Sequence, residues 1–312
     1  MKKMWFLAAI LTALLALGAL NGCAEEKAGL SVVASFYPMA DFAKKIGGDR
    51  VDVFTMVPAG AEPHDWEPSP ADIVRLEKAQ VFVYSGAGME HWAEDVVSSL
   101  GNKSLVVAEA SRGIALHAED PDHENEEVHE AEEQGHDHGD GDPHVWLDPR
   151  NAKAQMAAIR DALIQADPDG KGVYDANYEK YALALDALDA EFREGLKDLA
   201  RRDIVVAHAA YGYLCDAYDL HQVAIEGLSP DSEPSPARVA EIIDFAKAHD
   251  VRVIFFESLV SPKVAESIAA QVGARTDVLS PVEGLTDAEA AAGEDYFSVM
   301  RKNLAALSAA LS

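Results

Sequence analysis

Cysteine is almost absent from this chain of 312 residues: Cys23 and Cys215 are the only two. Basic side chains are the second scarcity, with 26 Lys and Arg against 54 Asp and Glu and a formal net charge of −28. Nucleic acid and anionic membrane surfaces need a basic footprint, so the deficit excludes them as partners and suits a cationic ligand. No Gly-x-Ser-x-Gly elbow is present, which counts against a Ser/His/Asp hydrolase. The shortage of positive charge is most extreme between His117 and His144, where Lys and Arg are missing altogether. Six of the eleven histidines, beginning with His117, His123, His129, His136 and His138, lie there among twelve carboxylates. Imidazole and carboxylate ligate divalent first-row metals. The segment has too little apolar content to bury itself, so it reads as a solvated arm that attracts cations.

The one long apolar run, Met4–Leu20, follows Lys2 and Lys3 and precedes Asn21-Gly22-Cys23. A short basic region, an apolar run of this length and small residues before a cleavage point describe a secretory signal. The run is slightly short for a stable membrane span. Leu20-Asn21-Gly22-Cys23 resembles the bacterial lipobox, which implies lipidation at Cys23 and an extracytoplasmic, membrane-tethered mature protein. The tether would face a periplasm if the host has an outer membrane. Cleavage removes two lysines and no acids, taking the charge from −28 to −30. Cys215 is then alone, so no intrachain disulfide is available, and it reads as a small buried hydrophobe.

The remainder alternates short β-rich runs with helical stretches, which predicts an α/β fold of parallel sheets flanked by helices. Strands are expected at Leu30–Phe36, Arg50–Val57, Gln80–Tyr84 and Ser104–Ala108, then at Asp203–Ala207, Gln222–Glu226, Arg252–Phe256 and Thr276–Leu279. Two similar lobes follow: residues 23–166, carrying the acidic loop 117–142, and residues 203–312. Between them, residues 167–202 read as a linking helix. Its apolar spacing, Tyr178 through Leu199, runs from about Val173 to Ala200 and predicts a stiff spine. Asp148-Pro149 opens the helix before it. The pentapeptide Glu-Pro-Ser-Pro-Ala occurs at 67–71 and again at 233–237, each time as a helix start.

Ligands of open parallel sheets bind beyond the carboxyl ends of strands. His64 lies past the second expected strand, His208 directly follows Ile204-Val205-Val206-Ala207, and His144 ends the acidic loop. Three such histidines in two lobes can converge on one metal.

The segments 61–69 (Ala-Glu-Pro-His-Asp-Trp-Glu-Pro-Ser), 142–149 (Asp-Pro-His-Val-Trp-Leu-Asp-Pro) and 207–214 (Ala-His-Ala-Ala-Tyr-Gly-Tyr-Leu) carry a resemblance. Together with Gly227-Leu228-Ser229-Pro230 and residues 255–263 they resemble the metal-binding lipoproteins of bacterial ABC importers for zinc and manganese, the cluster A-I solute-binding proteins. The resemblance implies two α/β lobes bridged by a rigid helix, a monomer, and one metal between the lobes. It places ligands at His64, His144 and His208. Where many members carry an Asp this chain has Ser280, so Glu283 in Pro-Val-Glu-Gly-Leu is the expected fourth ligand. Glu257 is the runner-up or an orienting neighbour, and Glu62 is within reach. Three imidazoles and one oxygen suit tetrahedral Zn²⁺; manganese sites favour harder oxygen ligands. The expected activity is capture of Zn²⁺ and hand-over to an ABC permease and its ATPase. A manganese receptor, a zinc hydrolase with an open water position and a surface adhesin are the rival readings.

Overall fold

The computed structural model describes residues 29–117, 141–230 and 234–312. The expected leader, Cys23, His123, His129, His136, His138 and Glu233 therefore lie outside the described residues.

Four short strands build each sheet. β1 (Leu30–Ala34), β2 (Val51–Thr55), β3 (Val81–Tyr84) and β4 (Val106–Glu109) align in the order β2-β1-β3-β4, all parallel. β5 (Asp203–Val206), β6 (His221–Ala224), β7 (Val253–Phe256) and β8 (Arg275–Val278) repeat that order as β6-β5-β7-β8. The central strands are largely apolar, Val-Phe-Val-Tyr in β3 and Ile-Val-Val after Asp203 in β5, because helices cover both faces of a parallel sheet.

Helices in the first lobe are α1 (Tyr37–Gly47), α2 (Pro70–Lys78) and α3 (Ala93–Ser99). α4 (Pro149–Ala166) and α5 (Lys171–Gly195) follow, then α6 (Gly212–Tyr218), α7 (Pro236–Ala248) and α8 (Lys263–Val272). The repeated pentapeptide does one job twice. Ser69 caps α2 and Ser235 caps α7, each with Pro in the first turn. The two helices also occupy matching places, α2 between β2 and β3 and α7 between β6 and β7.

α5 has 25 residues, about 37 Å at 1.5 Å per residue. It ends at Gly195 rather than near Ala200, although the apolar spacing continues through Leu196 and Leu199. The Arg202 guanidinium takes up the freed carbonyls, donating to Leu196 O at 3.0 Å and Lys197 O at 2.9 Å.

Two helices absent from the sequence reading close the chain: α9 (Asp287–Ala292) and α10 (Tyr296–Leu311), each opened by a capping box. α10 returns to the first lobe. The Tyr296 ring packs edge-on against Phe42 at 5.0 Å, and its hydroxyl donates to Trp146 O at 2.6 Å. Trp146 in turn donates to Pro281 O at 2.7 Å. Lys45 of α1 pairs with Asp295 at the start of α10 at 2.9 Å. The lobes thus share one apolar core, in which Phe36, Phe42 and Trp146 meet Tyr211, Val282 and Tyr296.

Candidate metal centre

Each sheet switches direction at its central pair, β1/β3 and β5/β7, where a crevice opens past the carboxyl ends. In the first lobe that crevice is filled from within. Buried Glu90 accepts hydrogen bonds from Ser35 Oγ, Ser85 N–H and Gly86 N–H. In the second lobe it carries His208 after β5 and Glu257 after β7.

The remaining groups arrive on loops. His64 stands on the turn after β2, where its backbone N–H donates to Glu62 Oε1 at 3.0 Å. His144 immediately precedes a 3-10 turn, Val145–Leu147, and its backbone N–H donates to Asp142 Oδ1 at 2.9 Å. Glu283 follows β8 through Ser280-Pro281-Val282. That turn forces Val282 to φ 60°, a region that costs a β-branched residue roughly 1–3 kcal/mol. Ser280 holds the turn. Its Oγ accepts from Val282 N–H at 3.1 Å, while Asn303 binds its backbone N–H at 2.9 Å and its carbonyl at 2.7 Å. Ser280 shapes the loop and is not among the convergent donors.

Four side chains from both lobes converge: His64, His144, His208 and Glu283, with ligand atoms all within 4.8 Å of one another. His144 Nε2 is 3.2 Å from His64 Nε2 and 3.3 Å from His208 Nε2. Glu283 Oε1 lies 3.0, 3.4 and 3.4 Å from the Nε2 atoms of His144, His64 and His208. Four donors at ~2.0–2.1 Å from a central ion in a tetrahedron stand about 3.3–3.4 Å apart. The five edges that involve His144 or Glu283 are of that size, and His64 and His208 stand within 4.8 Å of one another. His144 and His208 are fully buried, Glu283 almost so, and the His64 side chain is 9% exposed.

Two of the imidazoles are oriented from behind. His144 Nδ1 is 2.8 Å from Asp142 Oδ1, and His208 Nδ1 is 2.6 Å from Glu257 Oε1. A carboxylate at Nδ1 keeps the proton there and turns the Nε2 lone pair inward. Glu257 therefore faces the outer nitrogen of His208 and stands outside the convergent four.

The charges gathered in the cluster act on its own protonation. Burial disfavours a charged His208, but the Glu257 and Glu283 carboxylates outweigh it and raise its pKa well above 6.5. Burial likewise opposes a charged His144, and hydrogen bonds to Asp142 and Glu283 raise its pKa. Glu283 is the mirror case: burial favours its neutral form, yet the charge of His208 and hydrogen bonds from the three histidines hold its pKa well below 4.5. Glu62 lies outside the four. Burial, then the charge of Glu283, push its carboxyl up to about 8, and Oε2 has no hydrogen-bond partner among the described residues.

The two ends of the acidic segment are packed rather than solvated. The His117 ring stacks on Tyr213 at 4.0 Å, with Nε2 3.4 Å from Asp216. Asp142 is buried, and its carbonyl accepts from the Tyr213 hydroxyl at 2.8 Å. His117 does not join the four. Asp142 was missed by the sequence reading, although its spacing, two residues before His144 across a proline, is a signal that could have found it.

The family model for the zinc-uptake complex component A, periplasmic, matches residues 32–310. The chain is 40% identical over 290 residues to the high-affinity zinc uptake system protein ZnuA of Bacillus subtilis (strain 168), covering 92% of this chain and 89% of that protein. It is 40% identical over 311 residues to the zinc-binding lipoprotein AdcA of Streptococcus pneumoniae, covering 98% of this chain but only 60% of the longer relative. The solved structure of the Zn(II)-bound ZnuA-like domain of Streptococcus pneumoniae AdcA superposes with a TM-score of 0.77 at 37% identity, covering 91% of this chain and 99% of that one.

Proposed function

The chain belongs to the zinc-uptake component A family of solute-binding proteins, and from that premise we propose that it is an extracytoplasmic receptor for Zn²⁺. It takes one ion between its lobes and delivers it to an ABC permease driven by an ATPase. The observation that carries the reading is the convergence of His64, His144, His208 and Glu283, drawn from both lobes, with edges to His144 and Glu283 of the size zinc's bond lengths require.

Glu283 fills the fourth position with a protein carboxylate. That favours a receptor over a zinc hydrolase, which keeps the position open for water. Three imidazoles favour Zn²⁺ over Mn²⁺, which prefers harder oxygen ligands. Asp142 and Glu257 complete the set as carboxylates that orient His144 and His208. No helix of the described residues is long and apolar enough to cross a membrane, and Cys23 supplies a lipid tether in this reading. The shared core and the Trp146 and Tyr296 hydrogen bonds between lobes keep the domains from hinging freely. Loading and release then work through the loops bearing His64 and Glu283 rather than through wide lobe closure.

Growth of a zinc-importer receptor deletion strain on zinc-depleted medium tests the proposal. Expression of this chain with a compatible permease should restore growth, and Glu283→Ala with His208→Ala should not. Restoration by manganese supply alone would contradict it.

A further inference from the structure

The carboxylate that orients His144 is itself held by a tyrosine from the second lobe. Through Oδ1, Asp142 accepts the His144 backbone N–H at 2.9 Å and faces its Nδ1 at 2.8 Å. On its backbone side, Asp142 N–H donates to His117 O at 3.0 Å. The Tyr213 hydroxyl completes a ring of hydrogen bonds. It accepts from His117 N–H at 3.1 Å and donates to Asp142 O at 2.8 Å. Chemistry fixes that direction, since a carbonyl can only accept and a backbone N–H can only donate. Tyr213 is buried, and its ring stacks on His117.

We propose that Tyr213 is a positioning residue for the metal centre: it locks Asp142 in place and, through Asp142, fixes the tautomer and orientation of His144. The proposal rests on the reading of the four convergent side chains as a zinc site. Tyr213 lies in the first turn of α6, the helix that follows the His208 loop, so its hydroxyl ties together two ligand-bearing segments from different lobes. Gly212, immediately before it, leaves the space that the carboxylate needs. A Cβ at position 212 would stand 2.6 Å from Asp142 Oδ2, so a side chain there would push the carboxylate off His144. Pro143, between Asp142 and His144, has no N–H with which to brace the turn.

Removing the hydroxyl leaves the buried Asp142 carbonyl without its donor and loosens the group that decides which His144 nitrogen keeps the proton. A hydroxyl that served packing alone would move stability and leave His144 untouched.

The test measures Zn²⁺ affinity by chelator competition in the whole protein, in Tyr213→Phe, in Asp142→Asn and in the double variant. Tyr174→Phe is the control, because that buried hydroxyl donates to Asp167 at 2.7 Å beside the start of β2. Tyr213→Phe should weaken Zn²⁺ by about threefold to tenfold and Asp142→Asn by about tenfold or more. Once Asp142→Asn is present, Tyr213→Phe should cost less than about twofold, because its route to the metal is gone. The ring ¹⁵N resonances of His144 in the metal-free protein should move in Tyr213→Phe and stay in place in Tyr174→Phe. Wild-type affinity in Tyr213→Phe, additive losses in the double variant, or an unmoved His144 ring would overturn the proposal while wild type still holds one tight zinc. A wild-type protein that holds no tight zinc would overturn instead the zinc reading on which it rests.

Discussion

His208 and Glu257 stand opposite one another because the sheet puts them there. Val205 of β5 pairs with Ile254 of β7, and three residues beyond each lie His208 and Glu257, whose Nδ1 and Oε1 are 2.6 Å apart. Glu257 fixes which nitrogen of His208 keeps the proton, so its effect on zinc passes through the ring. Glu257→Gln is expected to weaken Zn²⁺ binding on the order of 10–100-fold while leaving one site per chain. Chelator competition reads this directly. An unchanged affinity would show that the carboxylate does not orient the ligand.

Zinc affinity should rise with pH. His208 and His144 hold protons above their ordinary value of 6.5, and Zn²⁺ needs their Nε2 lone pairs, so binding releases protons. The metal-free protein behaves in the opposite sense. Its raised-pKa histidines contribute stability that is fully present below 6.5 and lost as pH rises through their folded values. Glu283 contributes stability above 4.5 that is lost as pH falls through its depressed value. The zinc-induced rise in Tm should therefore grow as pH increases from 6 toward 8. Calorimetric titration in buffers of different ionisation enthalpy counts the released protons.

The choice between zinc and manganese lies in the imidazoles. His208→Asp replaces a nitrogen ligand with a harder oxygen, and should weaken Zn²⁺ by about tenfold or more while narrowing its lead over Mn²⁺. Direct competition between the two ions measures the ratio. A wider zinc preference in the variant would contradict the assignment.

Tyr296 ties α10 to the first lobe. Tyr296→Phe keeps the ring against Phe42 but leaves the buried Trp146 carbonyl without its donor. A loss of about 1–3 kcal/mol in unfolding free energy is expected, with zinc stoichiometry unchanged. Denaturant unfolding with and without zinc separates the two effects.

Much of the fold was readable from local chemistry. Pro70–Lys78, Pro149–Ala166 and Pro236–Ala248 begin where the sequence marks a helix start, because Ser69, Asp148 and Ser235 cap them and a proline fixes each first turn. His64, His144 and His208 stood out because each sits on a loop beside an apolar run. What stayed hidden depends on distance in space. Only the family resemblance in Pro-Val-Glu-Gly-Leu separated Glu283, which meets three histidines, from Glu257, which meets the back of one. The end of α5 was misplaced because Arg202, seven residues on, takes over carbonyls that apolar spacing does not see. α9 is short and largely alanine, so its capping box was the main local sign, whereas α10 does carry an apolar stripe, Tyr296, Val299, Met300, Leu307 and Leu311, that the sequence reading passed over.

The most direct measurement is retention of Zn²⁺ against a strong chelator by the whole protein, by His208→Ala, and by a variant in which a short glycine linker replaces residues 118–140. That deletion spares Asp142, which His144 needs. One tightly held equivalent that survives the deletion and is lost in His208→Ala is the predicted result. Tight zinc that disappears with residues 118–140 and persists in His208→Ala would contradict the account, and would move the principal site from between the lobes to the acidic segment.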